Sequence, residues 1–345
     1  MDLVEDILGG PFIPDERKGP DRKDRVRGML FGVALGDALG GPHEFRYQVP
    51  LGKYHGIVEH PLEYIPRYQR RLVGNVGQIT DDTEMTITLA DSILLNDCYD
   101  RETTTMAYMA WANSGMRLMG TNTRSLFANI KTFKGFESRL RAKRAAPQDE
   151  WTQSNGCLMR CTPLAVLPED KWFTAAVMDC GTTNPHPVCV DGVLAYLTAA
   201  RALLAGKTPE EATQLAADNA TTDKIANVIS MGRDGIELDV SRRATKGWIV
   251  FAIYCAFKAL NDTAETYQDR IDAIIRLGGD TDTNAAIAGG LVGAYLGAAK
   301  MREEDRTCTN LAVVLTCDPA AGDMPRAEKY GAQRLPTIAD ALAEI

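Results

Sequence analysis

The chain has 345 residues, of which 45% are hydrophobic and 24% charged, with a formal net charge of −8 at pH 7. This is ordinary for a globular protein with enough length to bury a large core, as one big domain or two smaller ones. The acidic balance and the lack of a long basic run exclude a general attraction to nucleic-acid backbone; the densest positive stretch (Arg139, Arg141, Lys143, Arg144) reads as a solvated helix end.

Residues 1–22 are polar, carry Pro11, Pro14 and Pro20 and lack the apolar core of a signal peptide, so they are expected to form a peripheral arm. Over residues 25–39, Met29, Leu30, Val33, Ala34 and Leu39 recur at the mixed three- and four-residue spacing of an amphipathic helix. Gly40, Gly41 and Pro42 then give a helix stop. Residues 54–59 are the best candidate for a strand, with weak alternation. Residues 82–96 predict a second helix, and the polar stretch 136–153 reads as a long surface loop. Helical spacing returns over 188–204, 226–231, 247–260, 267–277 and 283–299. The Gly- and Ala-rich, low-charge stretch 285–299 falls short of the roughly 20 residues that span a bilayer and predicts a close-packed core helix. No repeat and no long linker divides the chain. Residues 23–345 are therefore expected to form one compact all-α domain. The eight cysteines form no Cys-x-x-Cys pair and sit mostly in apolar segments, which suits reduced thiols in the cytoplasm; His43, His55, His60 and His186 lack zinc-ligand spacing with them.

Two acidic clusters stand out: Thr80-Asp81-Asp82-Thr83-Glu84 and Asp280-Thr281-Asp282-Thr283-Asn284, each opening a predicted helix. Asp and Thr favour helix starts, where they accept from free N–H groups, and Asp81 with Glu84 has capping-box spacing. Capping uses one acid, whereas these clusters supply Asp81, Asp82 and Glu84, then Asp280 and Asp282. The surplus calls for a compensating charge. A hard divalent cation supplies it, since Mg²⁺ and Mn²⁺ take carboxylate and hydroxyl oxygens. The second cluster is not an EF-hand loop, because Ala285 stands where Gly is required and Leu291 where the closing Glu belongs. Gly278 and Gly279 let the backbone turn tightly before Asp280.

With Gly36-Asp37 to Glu44, Thr80 to Thr83, Met119 to Arg124, Asn155 to Arg160, Thr182 to Pro187 and Gly278 to Asn284 occurring in order, the chain resembles the ADP-ribosylglycohydrolases. The resemblance implies an orthogonal multi-helix fold around a dinuclear Mg²⁺ or Mn²⁺ centre. It implies Thr80, Asp81, Asp82, Asp280, Asp282 and Thr283 as metal ligands, with Glu44 as the mobile acidic residue at the metals. Glu44, Asp82 and Asp282 are the expected catalytic residues; Asp37, Gly120, Asn155, Gly156 and Met159 are expected in the ADP-ribose cleft. His186, between two prolines, reads either as a loop residue or as a ligand contact. The family often has Thr-His-Pro-His-Pro where this chain has Thr183-Asn184-Pro185-His186-Pro187, so Asn184 replaces a titratable group. Phe127, Tyr196 and Tyr295 are candidates to stack on adenine.

The implied activity is hydrolysis of the C1 bond between ADP-ribose and an acceptor, either an ADP-ribosylated protein side chain, a nucleobase or a small molecule, by a monomer with no membrane or general nucleic-acid partner. The alternative is a non-catalytic ADP-ribose-binding or crystallin-like protein on the same fold.

Overall fold

A computed structural model describes residues 19–44, 54–59, 72–145, 153–241 and 247–345. Its elements in chain order are α1 (Arg22–Gly40), α2 (Asp81–Asn96), α3 (Arg101–Ala112), α4 (Thr121–Phe127), α5 (Phe133–Ala145), α6 (Trp172–Thr183) and α7 (Pro187–Leu204). They continue with α8 (Pro209–Asn219), α9 (Asp223–Arg233), α10 (Ile249–Leu260), α11 (Tyr267–Ile275), α12 (Thr281–Glu303), α13 (Asp305–Leu315) and α14 (Leu335–Ala343). Among the described residues there is no regular strand, only an isolated antiparallel bridge between Ser154 and Trp248. The domain is a single compact all-α unit.

Local chemistry sets most helix starts. Asp21, Asp100, Thr222 and Thr266 each accept from a backbone N–H three residues on. Thr208 and Glu211 form a full capping box ahead of α8.

The core is organised about α1 and α12, which run antiparallel in backbone contact. A Cβ on Gly28 would collide with Gly293 O, one on Gly32 with Gly289 O, one on Gly36 with Ala285 O, and one on Gly40 with Thr281 O. Each contact steps four residues up one helix and four down the other, so one glycine-lined face meets one small-residue face along the whole of α1. At the far end Gly297 (φ 79°) breaks α12, and the Asp24 carboxylate enters the gap to accept from Ala299 N at 2.9 Å. The Arg25 guanidinium takes the carbonyls of Ala294 and Tyr295. At the near end the seam delivers the C-terminus of α1 to the first turn of α12. Helices α7, α10, α11 and α13 pack around α12, α8 and α9 pack on α7 and α10, and α2 and α14 close the α1 side. By length and composition α7 is the one described helix long and apolar enough to cross a bilayer, and it is mostly buried in this core.

The expected helices are present with their ends moved by one to three residues for the most part. Several expectations are corrected. The stretch read as a surface loop is helical through Ala145: Phe136 and Leu140, one turn apart, bury against Phe127 and its neighbours while the charged residues of α5 face outward. Residues 146–152 lie outside the described ones, as do residues 1–18 of the expected arm. Residues 54–59 form no strand. They turn at Gly56 (φ 65°), held by Asn310, which donates to Gly56 O and accepts from Val58 N.

The seam gives a direct test. Alanine favours a helix interior over glycine by up to about 1 kcal/mol, yet a Cβ at Gly32 has no room. Gly32→Ala is expected to lower stability in chemical denaturation by about 3 kcal/mol, and Gly19→Ala, which meets nothing within 4 Å, by under about 0.5 kcal/mol.

Candidate active site

The first turn of α2 is capped from another helix. Thr80, the N-cap residue, makes no side-chain capping bond. Asp37 of α1 accepts from Thr80 N at 3.0 Å, Thr83 N at 3.1 Å, Thr80 Oγ1 at 2.7 Å and Thr83 Oγ1 at 2.5 Å. This releases Asp81 and Asp82 from the capping role their positions suggest. Glu84 turns away as well: it pairs with Arg326 at 2.6 Å and accepts from Trp111 Nε1 at 2.7 Å. Glu84, counted above among the surplus acids, therefore already has its compensating charge.

The remaining acids converge. Because the seam sets Gly40 against Thr281, the start of α12 lies beside the start of α2 and the end of α1. Glu44, Asp280 and Asp282 place carboxylate oxygens within 4.8 Å of one another. Burial, then repulsion from Glu44, Asp280, Asp82 and Asp37, pushes the Asp282 carboxyl well above its ordinary range. Burial and repulsion from Asp37, Asp81 and Asp280 do the same to Asp82. Asp81 is pushed up to about 8, chiefly by burial, against the pull of a bond from Gly120 N. The two clusters thus share one field, with no lysine or arginine among the causes of these three shifts.

Hydrogen counting points to a cation there. Thr80 Oγ1 lies 2.7 Å from Asp37 Oδ1 and 3.0 Å from Asp82 Oδ2, but a hydroxyl has one proton to give. Donated to Asp37, it leaves the Thr283 hydroxyl as the side-chain donor to the Asp82 carboxylate. Asp82 Oδ1 is buried with no hydrogen-bond partner among the described residues. A buried carboxylate in that state is costly unless something positive lies against it. The donors assembled from Thr80, Asp81, Asp82, Asp280, Asp282 and Thr283 are all oxygens, which fits a hard divalent cation and not a soft one.

Above this floor opens a cleft of about 670 Å³, within the range of a nucleotide-sized ligand. Of the residues expected in it, Glu44, Gly120, Asn155, Gly156 and Met159 line it. Asn155 donates to Asp280 Oδ2 at 2.7 Å, tying the cleft wall to its floor. Asp37 does not line it, since it is fully buried below as the cap of α2. His186 does not line it either; its Nδ1 accepts from Val188 N and caps α7. Phe127 and Tyr196 are buried in the core, and Tyr295 packs on Arg270. Arg117, Ser125 and Ser154, none of them among the expected site residues, and Asn122, expected only as part of a motif, also line the cleft. Their signal was the polar run on each side of Gly120 and Asn155.

The sequence profile of the family described as ADP-ribosylglycohydrolase matches residues 18–317. The chain is 26% identical to the ADP-ribosyl-[dinitrogen reductase] glycohydrolase of Rhodospirillum rubrum, over 81% of this chain and 88% of that protein. It is 27% identical to the ADP-ribosylarginine hydrolase Tri1 of Pseudomonas putida (strain GB-1), over 81% and 73%. A solved structure titled ADP-ribosylglycohydrolase-related protein complex has the same fold, with a TM-score of 0.62 and 23% identity, covering 85% of this chain and 98% of that one.

The raised Asp81 value makes a prediction with a definite sign. A folded value near 8 above the ordinary 3.8 means a contribution to stability fully present below pH 3.8 and lost as pH rises through 8. Metal-free protein should lose thermal stability over that window relative to Asp81→Asn, and added Mg²⁺ should raise the melting temperature more at pH 8 than at pH 5. A difference between the two proteins that is flat with pH would contradict the buried, uncompensated charge.

Proposed function

The chain belongs to the ADP-ribosylglycohydrolase family and is a hydrolase of ADP-ribosyl bonds, and from that premise we propose that it frees ADP-ribose from the guanidinium of an ADP-ribosylated arginine, with two divalent cations, Mg²⁺ or Mn²⁺, in the acidic cluster. The observation that carries this reading is the meeting of the two acidic clusters in an oxygen-only donor set at the floor of a cleft of about 670 Å³. Thr80, Asp81, Asp82, Asp280, Asp282 and Thr283 would hold the cations. When bound, these ions would neutralise the carboxylates and act as Lewis acids on the hydroxyls of the distal ribose and on water.

The chain's own residues do the rest. Thr121, Asn122, Ser125 and Ser154 give the cleft wall the hydroxyl and amide groups that suit ribose and pyrophosphate, and Arg117 brings positive charge to that wall. Glu44, half-buried with its carboxylate beside Asp280 and Asp282, accepts a proton from the attacking water. The water oxygen bonds to C1, and the C1–N bond breaks with its electron pair retained by the guanidine nitrogen, which gains the proton that Glu44 took from water. The transition state has oxocarbenium character, so positive charge develops at C1. Glu44, which is not among the residues that would hold the cations, keeps a negative charge there that suits a cationic acceptor. The name of the Pseudomonas putida relative points to the same acceptor. The reading carries with it a monomer acting in the cytoplasm on an ADP-ribosylated protein or small molecule.

Asp82→Asn and Asp282→Asn should each lower kcat/KM for ADP-ribosylarginine by at least about a hundredfold while melting no lower than the metal-free parent, because each removes a repelled buried charge. Turnover retained by either variant at high Mg²⁺ would overturn the assignment. A panel of arginine-, serine- and nucleobase-linked ADP-ribose, run with each metal and with EDTA, is expected to give ADP-ribose from the arginine substrate only when metal is present. AMP as product would indicate a phosphoesterase, and ADP-ribose bound without hydrolysis of any substrate a non-catalytic protein.

A further inference from the structure

The C-terminal turn of α6 sits directly behind the cleft wall. Asn184, its C-cap residue, is 0% exposed. Its side-chain amide has two N–H donors and one carbonyl acceptor, and each is placed. Nδ2 donates to Ser154 O at 3.0 Å and to Ser154 Oγ at 2.8 Å, while Oδ1 accepts from Asn122 Nδ2 at 3.3 Å. Asn122 Nδ2 also reaches Thr183 O at 3.2 Å. Ser154 and Asn122 come from two segments far apart in the chain that meet at Asn184, and both line the cleft. Asn184 itself does not touch the cavity. Its own backbone is held from behind, where Asn184 N donates to Cys180 O at 2.8 Å and Asn184 O accepts from Cys180 Sγ.

The geometry points to Asn184 as a positioning residue that ties the Asn122 and Ser154 segments of the cleft wall to one another, and so sets affinity for the ADP-ribosyl group without taking part in bond cleavage. No other neutral side chain of similar size does this. Aspartate lacks both donors and would face the Ser154 carbonyl with negative charge. Neutral histidine offers one donor and one acceptor; protonated histidine offers two donors and no acceptor, and sets its charge against the Asn122 amide N–H groups. The clamp acts through shape and hydrogen bonds, so it is independent of pH across the neutral range, whereas a histidine in its place would titrate there.

The inference rests on the proposed ADP-ribosyl substrate, and its test separates the two. Wild type, Asn184→Ala, Asn184→His, Asn122→Ala and the Ala/Ala double variant are compared in Mg²⁺ for kinetics on ADP-ribosylarginine and for ADP-ribose affinity by calorimetry. Asn184→Ala is expected to raise KM and the ADP-ribose dissociation constant about tenfold with kcat within about twofold. The double variant should lose less affinity than the product of the two single losses, because the Asn122–Asn184 bond is removed in both single variants. Asn184→His should show a KM that climbs as pH falls through the neutral range, which wild type lacks. Asn184→Ser, which keeps one donor, carries the same test if the alanine variant does not fold. Unchanged KM and affinity in Asn184→Ala, a loss confined to kcat, or fully additive effects in the double variant would overturn the clamp while leaving the proposed reaction standing. Wild type that neither binds ADP-ribose nor cleaves the substrate would overturn the reaction itself.

Discussion

The backbone contact between α1 and α12 is the constraint from which the site follows. Four glycines on α1 at four-residue intervals meet Thr281, Ala285, Gly289 and Gly293 on α12. The Asp24 carboxylate at the Gly297 break and the Arg25 bonds to Ala294 O and Tyr295 O fix the far end in this register. Slipping the seam by a turn would move Asp37 away from the start of α2 and Gly40 away from Thr281. Register therefore decides whether Glu44, Asp82 and Asp282, which lie far apart in the chain, end in one place. A helix pair held by small residues also yields little to pressure from within, which suits a floor made of repelling carboxylates.

That floor is an arrangement the rest of the fold holds against its own electrostatics. Asp37 is buried and satisfied by four hydrogen-bond donors, and Glu84 is satisfied by Arg326 and Trp111. Asp81, Asp82 and Asp282 are held up in pKa by burial and by one another. Asp37 thus has four donors and Glu84 a guanidinium, whereas no lysine or arginine is among the causes of the shifts at Asp81, Asp82 and Asp282. Sites with this division commonly bind cations or carry out chemistry.

Much of this was legible from residue types and spacing. Helices α1, α2, α7, α10 and α12 have apolar residues at helical intervals, and the surplus of Asp in two short segments marked the floor of the site. What was not legible depended on partners distant in the chain. Asp37 is expected in the cleft because nothing local shows that it caps a helix whose N-cap residue lies 43 positions later. Glu84 looked like one more acid until Arg326 was found against it. Helix α5 reads as a loop in sequence because only Phe136 and Leu140 of its residues are buried, too few for a periodic signal amid its charges. His186 and Asn184 were noticed as an altered motif, but whether either faces the cleft depends on how the end of α6 packs.

The central claim is that the early and late acidic clusters hold the same cations. Anomalous diffraction from crystals grown in Mn²⁺ tests it most directly. The account predicts manganese peaks in the floor of the cleft coordinated, at about 2.1 Å, by oxygens drawn from both the Asp81–Asp82 and the Asp280–Asp282 segments. Manganese bound by one segment alone, or absent from the floor while Glu44, Asp82 and Asp282 remain together, would contradict it.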